Sequence, residues 1–92
     1  EKRNEAILEV ALAAQNELNI AAKATDGYYR EFIIPQKIQG IDYNITLVEN
    51  LVYIITQDGR HSIALPGQNA TGNFTKGTNT IRKQNATIWL NQ

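Results

Sequence analysis

From Glu1 to Thr25 the chain carries one unbroken helical pattern, and that pattern is apolar around more of its circumference than a small domain needs. Ala and Leu, the strongest helix formers, dominate it, and no Gly or Pro interrupts it before Gly27. Ile7, Ala11, Ala14, Leu18 and Ala21 recur in alternating steps of four and three and so share one face. Leu8, Leu12, Ala22 and Thr25 widen that stripe on one side; Val10, Ala13 and Ala24 lie near its other edge. A helix that serves only a small sheet needs about a third of its surface apolar. The excess demands a second cover.

The helix is expected over residues 1–26. Its charged opening, Glu1-Lys2-Arg3-Asn4-Glu5, is expected to be solvated and offers no clean start, so the helix is expected to continue upstream, with Asn4 as the alternative N-cap. Asp26-Gly27 supplies the stop, Gly27 taking the left-handed conformation just past the end.

A chain of 92 residues makes one domain with a thin core. It has no Cys, which removes disulfides, zinc-thiolate sites and thiol redox chemistry. Nine basic and nine acidic side chains cancel, so no net field draws in nucleic acid or an anionic membrane. Position 1 is not Met, so the chain is expected to be a processed product or a piece of something longer. Any targeting segment, and any contact with a membrane, is expected to lie before Glu1. No apolar run approaches the roughly 20 residues that span a bilayer. Ten Asn, eight Thr and seven Gln give the uncharged polarity common in secreted and surface-exposed β domains.

Beyond Tyr28-Tyr29-Arg30 the period changes from helical to alternating. Glu31 to Pro35 reads as a short strand closed by proline. Ile41, Tyr43, Ile45 and Leu47 alternate with polar residues, as in a half-buried strand. Glu49-Asn50 turns the chain into Leu51 to Thr56, apolar on both faces and expected to be the central strand beneath the helix. Asp58-Gly59 is a hairpin signal leading into Arg60 to Leu65. Gln68 to Gly77 reads as a polar loop, and strands are expected at Thr78 to Lys83 and Thr87 to Asn91, joined around Gln84-Asn85-Ala86. The plan is α+β: residues 1–26 a helix, residues 31–92 a β-rich head of about five or six strands. Connections this short predict a wholly antiparallel sheet.

Chemical motifs are sparse. His61 and Ser62 are adjacent, so on a strand they point to opposite faces and form no nucleophile and base pair. Gly67 to Gly72 has the glycine spacing of a phosphate loop, but Asn73-Phe74 stand where Lys and Ser/Thr are required, and no helix pattern follows. With one His, no Cys and scattered carboxylates, no metal site is expected, nor any cofactor or catalysis. Trp89, Tyr28, Tyr29 and the Gln68 to Gly77 loop are the residues a surface binding module would use on a glycan or protein.

One tripeptide recurs. Asn44-Ile45-Thr46, Asn69-Ala70-Thr71, Asn73-Phe74-Thr75 and Asn85-Ala86-Thr87 all fit the N-glycosylation acceptor pattern. Each sits on a polar strand face, in the long loop or in a turn, where all four are expected to reach water; they also read as ordinary turn and surface residues.

The chain resembles the archaeal type IV pilins, specifically the small methanogen-type pilins. The likeness rests on Ala13-Ala14-Gln15-Asn16-Glu17-Leu18, Phe32-Ile33-Ile34-Pro35, Ile38-Gln39-Gly40 and Tyr43-Asn44-Ile45, with Gly77-Thr78-Asn79-Thr80-Ile81 similar in flavour. It implies a filament subunit without enzymatic activity, exported to the cell surface and serving adhesion. Its helix would pack with other copies while a glycosylated head faces outward. Under that resemblance Ile7, Val10, Ala11, Ala14, Leu18 and Ala21 are expected to form the filament-core packing face, and Asn44, Asn69, Asn73 and Asn85 to carry glycans. A secreted or surface-anchored module that recognises a glycan or protein is the competing reading.

Overall fold

The computed structural model describes residues 2–92, with side chains described from Glu5 onward. One helix, α1 (Lys2–Lys23), is followed by seven strands: β1 (Tyr29–Ile34), β2 (Tyr43–Val48), β3 (Leu51–Thr56), β4 (Ser62–Pro66), β5 (Ala70–Gly72), β6 (Gly77–Gln84) and β7 (Thr87–Leu90). The helix is already formed at Lys2, so Asn4 is an interior residue and not an N-cap. The expected solvation of Glu1 to Asn4, and any continuation upstream, lie outside the described residues.

The α+β class holds, with three departures from a single antiparallel sheet of five or six strands, the first being that there are seven. The strands form two sheets, one ordered β1-β6-β7-β5 and one ordered β2-β3-β4. One pairing, β5 with β7, is parallel. Short connections forbid parallel pairing only between consecutive strands. Here β6 itself carries the chain back, and β7 returns to lie between β6 and β5. The expected loop over residues 68–77 therefore contains a strand, too short at three residues to show a period.

Turn chemistry explains most of the remaining boundaries. Glu49 and Asn50 take φ of +50° and +67°, and Asn85 and Ala86 take +55° and +60°, the paired left-handed conformations of tight two-residue hairpins. The β3–β4 connection is longer. In it Asp58 Oδ1 accepts hydrogen bonds from Thr56 Oγ1 at 2.6 Å and the Arg60 amide at 3.0 Å. These bonds, the one from Thr56 foremost, hold the Asp58 carboxyl below the usual range. Ile41 lies outside β2 in an isolated bridge to Ile38.

The helix ends at Lys23, short of Asp26, and a side chain from the sheet meets its last carbonyls. Lys83 Nζ, on β6, donates to the Ala21, Ala22 and Ala24 carbonyl oxygens at 3.2, 3.0 and 3.2 Å. An ammonium there neutralises the negative end of the helix. Gly27 has the expected positive φ, +98°, but its amide donates to the Lys83 carbonyl and not back to the helix. Asp26 accepts from the Asn85 and Ala86 amides, both at 3.0 Å, and so ties the β6–β7 turn to the chain just beyond α1.

The stripe Ile7, Ala11, Ala14, Leu18 and Ala21 lies across both sheets, touching β3 and β4 on one side and β6 and β7 on the other. Val52, Ile54, Tyr43 and Ile45 rise to it from the three-stranded sheet, and Ile34, Ile81, Ile88 and Leu90 from the four-stranded one. As expected, β3 is central in its sheet, with Val52 and Ile54 inward. Two polar ties flank this core. Gln15 Nε2 donates to the Pro66 carbonyl at 2.8 Å, and Gln68 Nε2 to Asn19 Oδ1 at 2.9 Å.

Gly72 has φ of +101°, and a Cβ there would sit 1.9 Å from the Leu90 carbonyl oxygen. Gly72→Ala is therefore expected to lower stability by about 1–3 kcal/mol, read as a fall in the urea midpoint together with faster hydrogen exchange along β5.

The Tyr43 hydroxyl, in the core, donates to the Pro35 carbonyl, and burial raises its pKa from 10.0 to about 12. The unfolded phenol ionises first, so this contribution to stability is complete below the unfolded value of 10.0 and is lost as pH rises through the folded value of about 12. Alkaline titration is expected to show unfolding coupled to tyrosinate absorbance in that window. In Tyr43→Phe the part of this coupling that comes from the buried phenol disappears.

Candidate functional site

On the side of α1 turned away from both sheets, Leu8, Leu12, Asn16 and Ile20 follow one another at intervals of four residues. That spacing makes one inclined ridge along a helix surface. Leu8 is 37 % exposed, Leu12 44 % and Ile20 43 %, with Asn16 exposed among them and Ala13 exposed alongside. Among the described residues this is the helix face that keeps large apolar groups in water.

The residues expected to form a packing face toward other copies are not on this ridge. Ile7, Ala11, Ala14, Leu18 and Ala21 are each no more than 2 % exposed inside the domain's own core, and Val10 is half-buried beside it. Periodicity identifies a stripe but is silent on which surface covers it. The more regular stripe met the sheets because its three alanines let the helix approach them closely; the interrupted row of larger residues stayed outside.

Beside α1 an open groove of about 570 Å³ runs along β1, an outer strand of its sheet. Val10, Ala13 and Phe32 contribute its apolar lining, and Ile33, 76 % exposed, stands among its residues. Across it the nearly buried Glu17 carboxylate is held by Arg30 Nε, at 2.9 and 3.1 Å to its two oxygens. That pair bridges helix and edge strand.

The four acceptor tripeptides occupy different environments. Asn44 on β2, Asn69 just ahead of β5, and Asn85 in the β6–β7 turn are all exposed. Asn73 is exposed as a residue, but its amide is fully engaged. Its Oδ1 accepts from the Leu47 and Phe74 amides at 2.6 and 2.8 Å, and its Nδ2 donates to Thr46 Oγ1 and the Leu47 carbonyl at 3.1 and 3.3 Å. All four residues are thus exposed as expected, and at Asn73 the amide nitrogen also holds the β5–β6 segment against β2.

The remaining candidates separate. Tyr28 is half-buried and packs on the core, whereas Tyr29 is 58 % exposed. Trp89 is half-buried on the outer face of the four-stranded sheet, its Nε1 donating to the Gln84 carbonyl at 3.2 Å. His61 is half-buried in the β3–β4 turn, and Ser62 beside it is exposed. The segment after Gly72 leads to β6, a strand, and not to a helix that could meet a phosphate. Among the described residues, no three His, Asp or Glu side chains gather as a metal site would require, and no helix is long and apolar enough to cross a membrane.

Sequence reasoning missed the fully buried Asn79. Its Oδ1 accepts from the Thr75 amide and Asn91 Nδ2, and its Nδ2 donates to the Thr75 and Gly77 carbonyls. One Asn among ten carries no mark of burial beyond its place in alternation with Ile81.

No protein-family model matches this chain, and no curated protein or solved structure does so.

Asn73→Ala is expected to cost about 1–3 kcal/mol by leaving its backbone partners short of hydrogen bonds, whereas Asn44→Gln and Asn69→Gln stay within about 0.5 kcal/mol. Urea denaturation of the three variants checks both statements.

Proposed function

We propose that this chain is the helix-and-head portion of a structural subunit of an extracellular filament, of the archaeal type IV pilus kind, that assembles with copies of itself through α1. The observation that carries the reading is the uncovered ridge of Leu8, Leu12 and Ile20 on a helix whose opposite stripe is already buried. A helix apolar on two sides belongs in an assembly that covers both. Asn16 lies within the ridge and can hydrogen-bond across a helix seam, the device by which a polar residue sets register between packed helices.

The head suits an outward position. Its exposed acceptor residues, Asn44, Asn69 and Asn85, lie on β2, ahead of β5 and in the β6–β7 turn, all outside α1 itself. On this reading the protein acts by packing, and adhesion is the role of the assembled surface.

The decisive experiment expresses the natural gene product that carries this chain in its host and images the cell surface. Replacing Leu8, Leu12 and Ile20 together by Asn is expected to abolish filaments. The isolated 92-residue domain should remain folded with its melting temperature lowered by no more than about 12 °C, since substitutions at outward positions shift stability by about 0.5 kcal/mol each or less and about 1 kcal/mol moves the midpoint of a domain this size by about 4–8 °C. Filaments of normal abundance from the triple variant, or wild-type protein found in no filament or envelope fraction, would sink the reading.

A further inference from the structure

The outer face of the four-stranded sheet carries a transverse row that filament packing through α1 does not use. Tyr29 on β1 stands opposite Arg82 on β6, Arg82 opposite Trp89 on β7, and Trp89 opposite Thr71 on β5. Directly paired residues share a face. The opposite face of β6 and β7 is the core, with Ile81, Ile88 and Leu90 buried on the helix side, so the row looks away from α1.

The Trp89 ring of this row is held by its neighbours. The Arg82 guanidinium carbon lies 5.2 Å from the Trp89 ring centroid, and Arg82 Nε donates to the Gln92 carbonyl at 3.3 Å. Trp89 uses its one donor on the Gln84 carbonyl and has the Arg82 guanidinium over one face of its ring, so what it offers a partner is the apolar ring surface that Arg82 leaves uncovered. The Tyr29 hydroxyl donates to Glu31 Oε2 at 3.3 Å. Tyr29 and Trp89 are two strands apart, a separation of about 9–10 Å at the usual spacing between neighbours in a sheet. That matches alternate rings of an extended pyranose chain.

We propose that this face binds a neutral, extended oligosaccharide, with sugar rings stacked on Tyr29 and Trp89 and their hydroxyls bonded to Arg82, Glu31, Thr71 and Thr80. Charge decides between the ligands an aromatic row could take. Arg82 and Glu31 bring one charge of each sign to the face, and the chain's net charge is zero. A single-stranded nucleic acid needs a cationic groove along its phosphates, and a polyanionic glycan would meet Glu31. A neutral sugar uses both groups, accepting from the guanidinium and donating to the carboxylate. A Trp89 ring already held in place reduces the entropy lost on binding.

Trp89 is the chain's one tryptophan, so its emission reports on the row directly. Titration of the 92-residue protein with cellohexaose and with chitohexaose is expected to give a saturable emission change with at least one of them. Tyr29→Ala should weaken that binding about tenfold, or about 1.4 kcal/mol, and Tyr29→Phe, which keeps the ring, should retain it. Val48→Ser, on the other sheet, should leave it unchanged, with circular dichroism verifying that each variant folds. The proposal is overturned by no emission change with either hexaose at millimolar concentration, by binding that Tyr29→Ala leaves intact, or by tighter binding of oligothymidylate or polyglucuronate. Filament loss in the ridge variant bears on none of these readings, so the two proposals fail separately.

Discussion

The contact between one alanine-rich stripe and two sheets is the constraint on which the rest of this molecule depends. The sheets are not joined to each other by a strand pairing; α1 lies across both, and Ile7, Ala11, Ala14, Leu18 and Ala21 supply the common core surface. Small residues bring the helix axis close to the strands. The seating is tight enough that a Cβ on Gly67 would come within 3.0 Å of Leu18 Cδ1. Because that stripe is fully used inside the domain, any partner must address the other side of the helix. The division of α1 into an inner and an outer apolar face is therefore a consequence of the core, and the functional proposal follows from it.

Around this core, polar groups far apart in sequence do the positioning. Lys83 reaches from β6 to the carbonyl end of α1 and caps it. Asp26 answers by holding the β6–β7 turn, so that the helix end and the hairpin brace each other. Asn73 and Asn79 do the same for the irregular stretch between β5 and β6, replacing the backbone ladder with side-chain amides. Buried polar groups must find such partners, and a short chain without disulfides has few other means to order a loop. The abundance of Asn thus has a structural use.

Much of this was legible residue by residue. The helical face, the central position of β3 and the Glu49-Asn50 turn each follow from local spacing or from residues that tolerate positive φ. The second sheet, the parallel pairing of β5 and the early end of α1 were not legible, since each depends on groups brought together by folding. β5 is three residues long and pairs with a strand reached only after β6 has turned the chain back. Lys83 reads in the sequence as one more surface cation. At the candidate surfaces, Trp89 and Tyr29 were visible as aromatics, but nothing local placed Arg82 between them.

By itself the sequence determined that this is a helix followed by a small β head without thiol chemistry, and that the helix has more apolar surface than one thin sheet can hide. Those conclusions rest on period, composition and local conformational preference, which act between near neighbours. Only the tertiary structure decided which apolar stripe is inside, which acceptor amide is already bonded, and which aromatic rings share a face. Each of these depends on an environment assembled from distant segments, where close approach and hydrogen-bond satisfaction choose among residues that the one-dimensional pattern leaves equivalent.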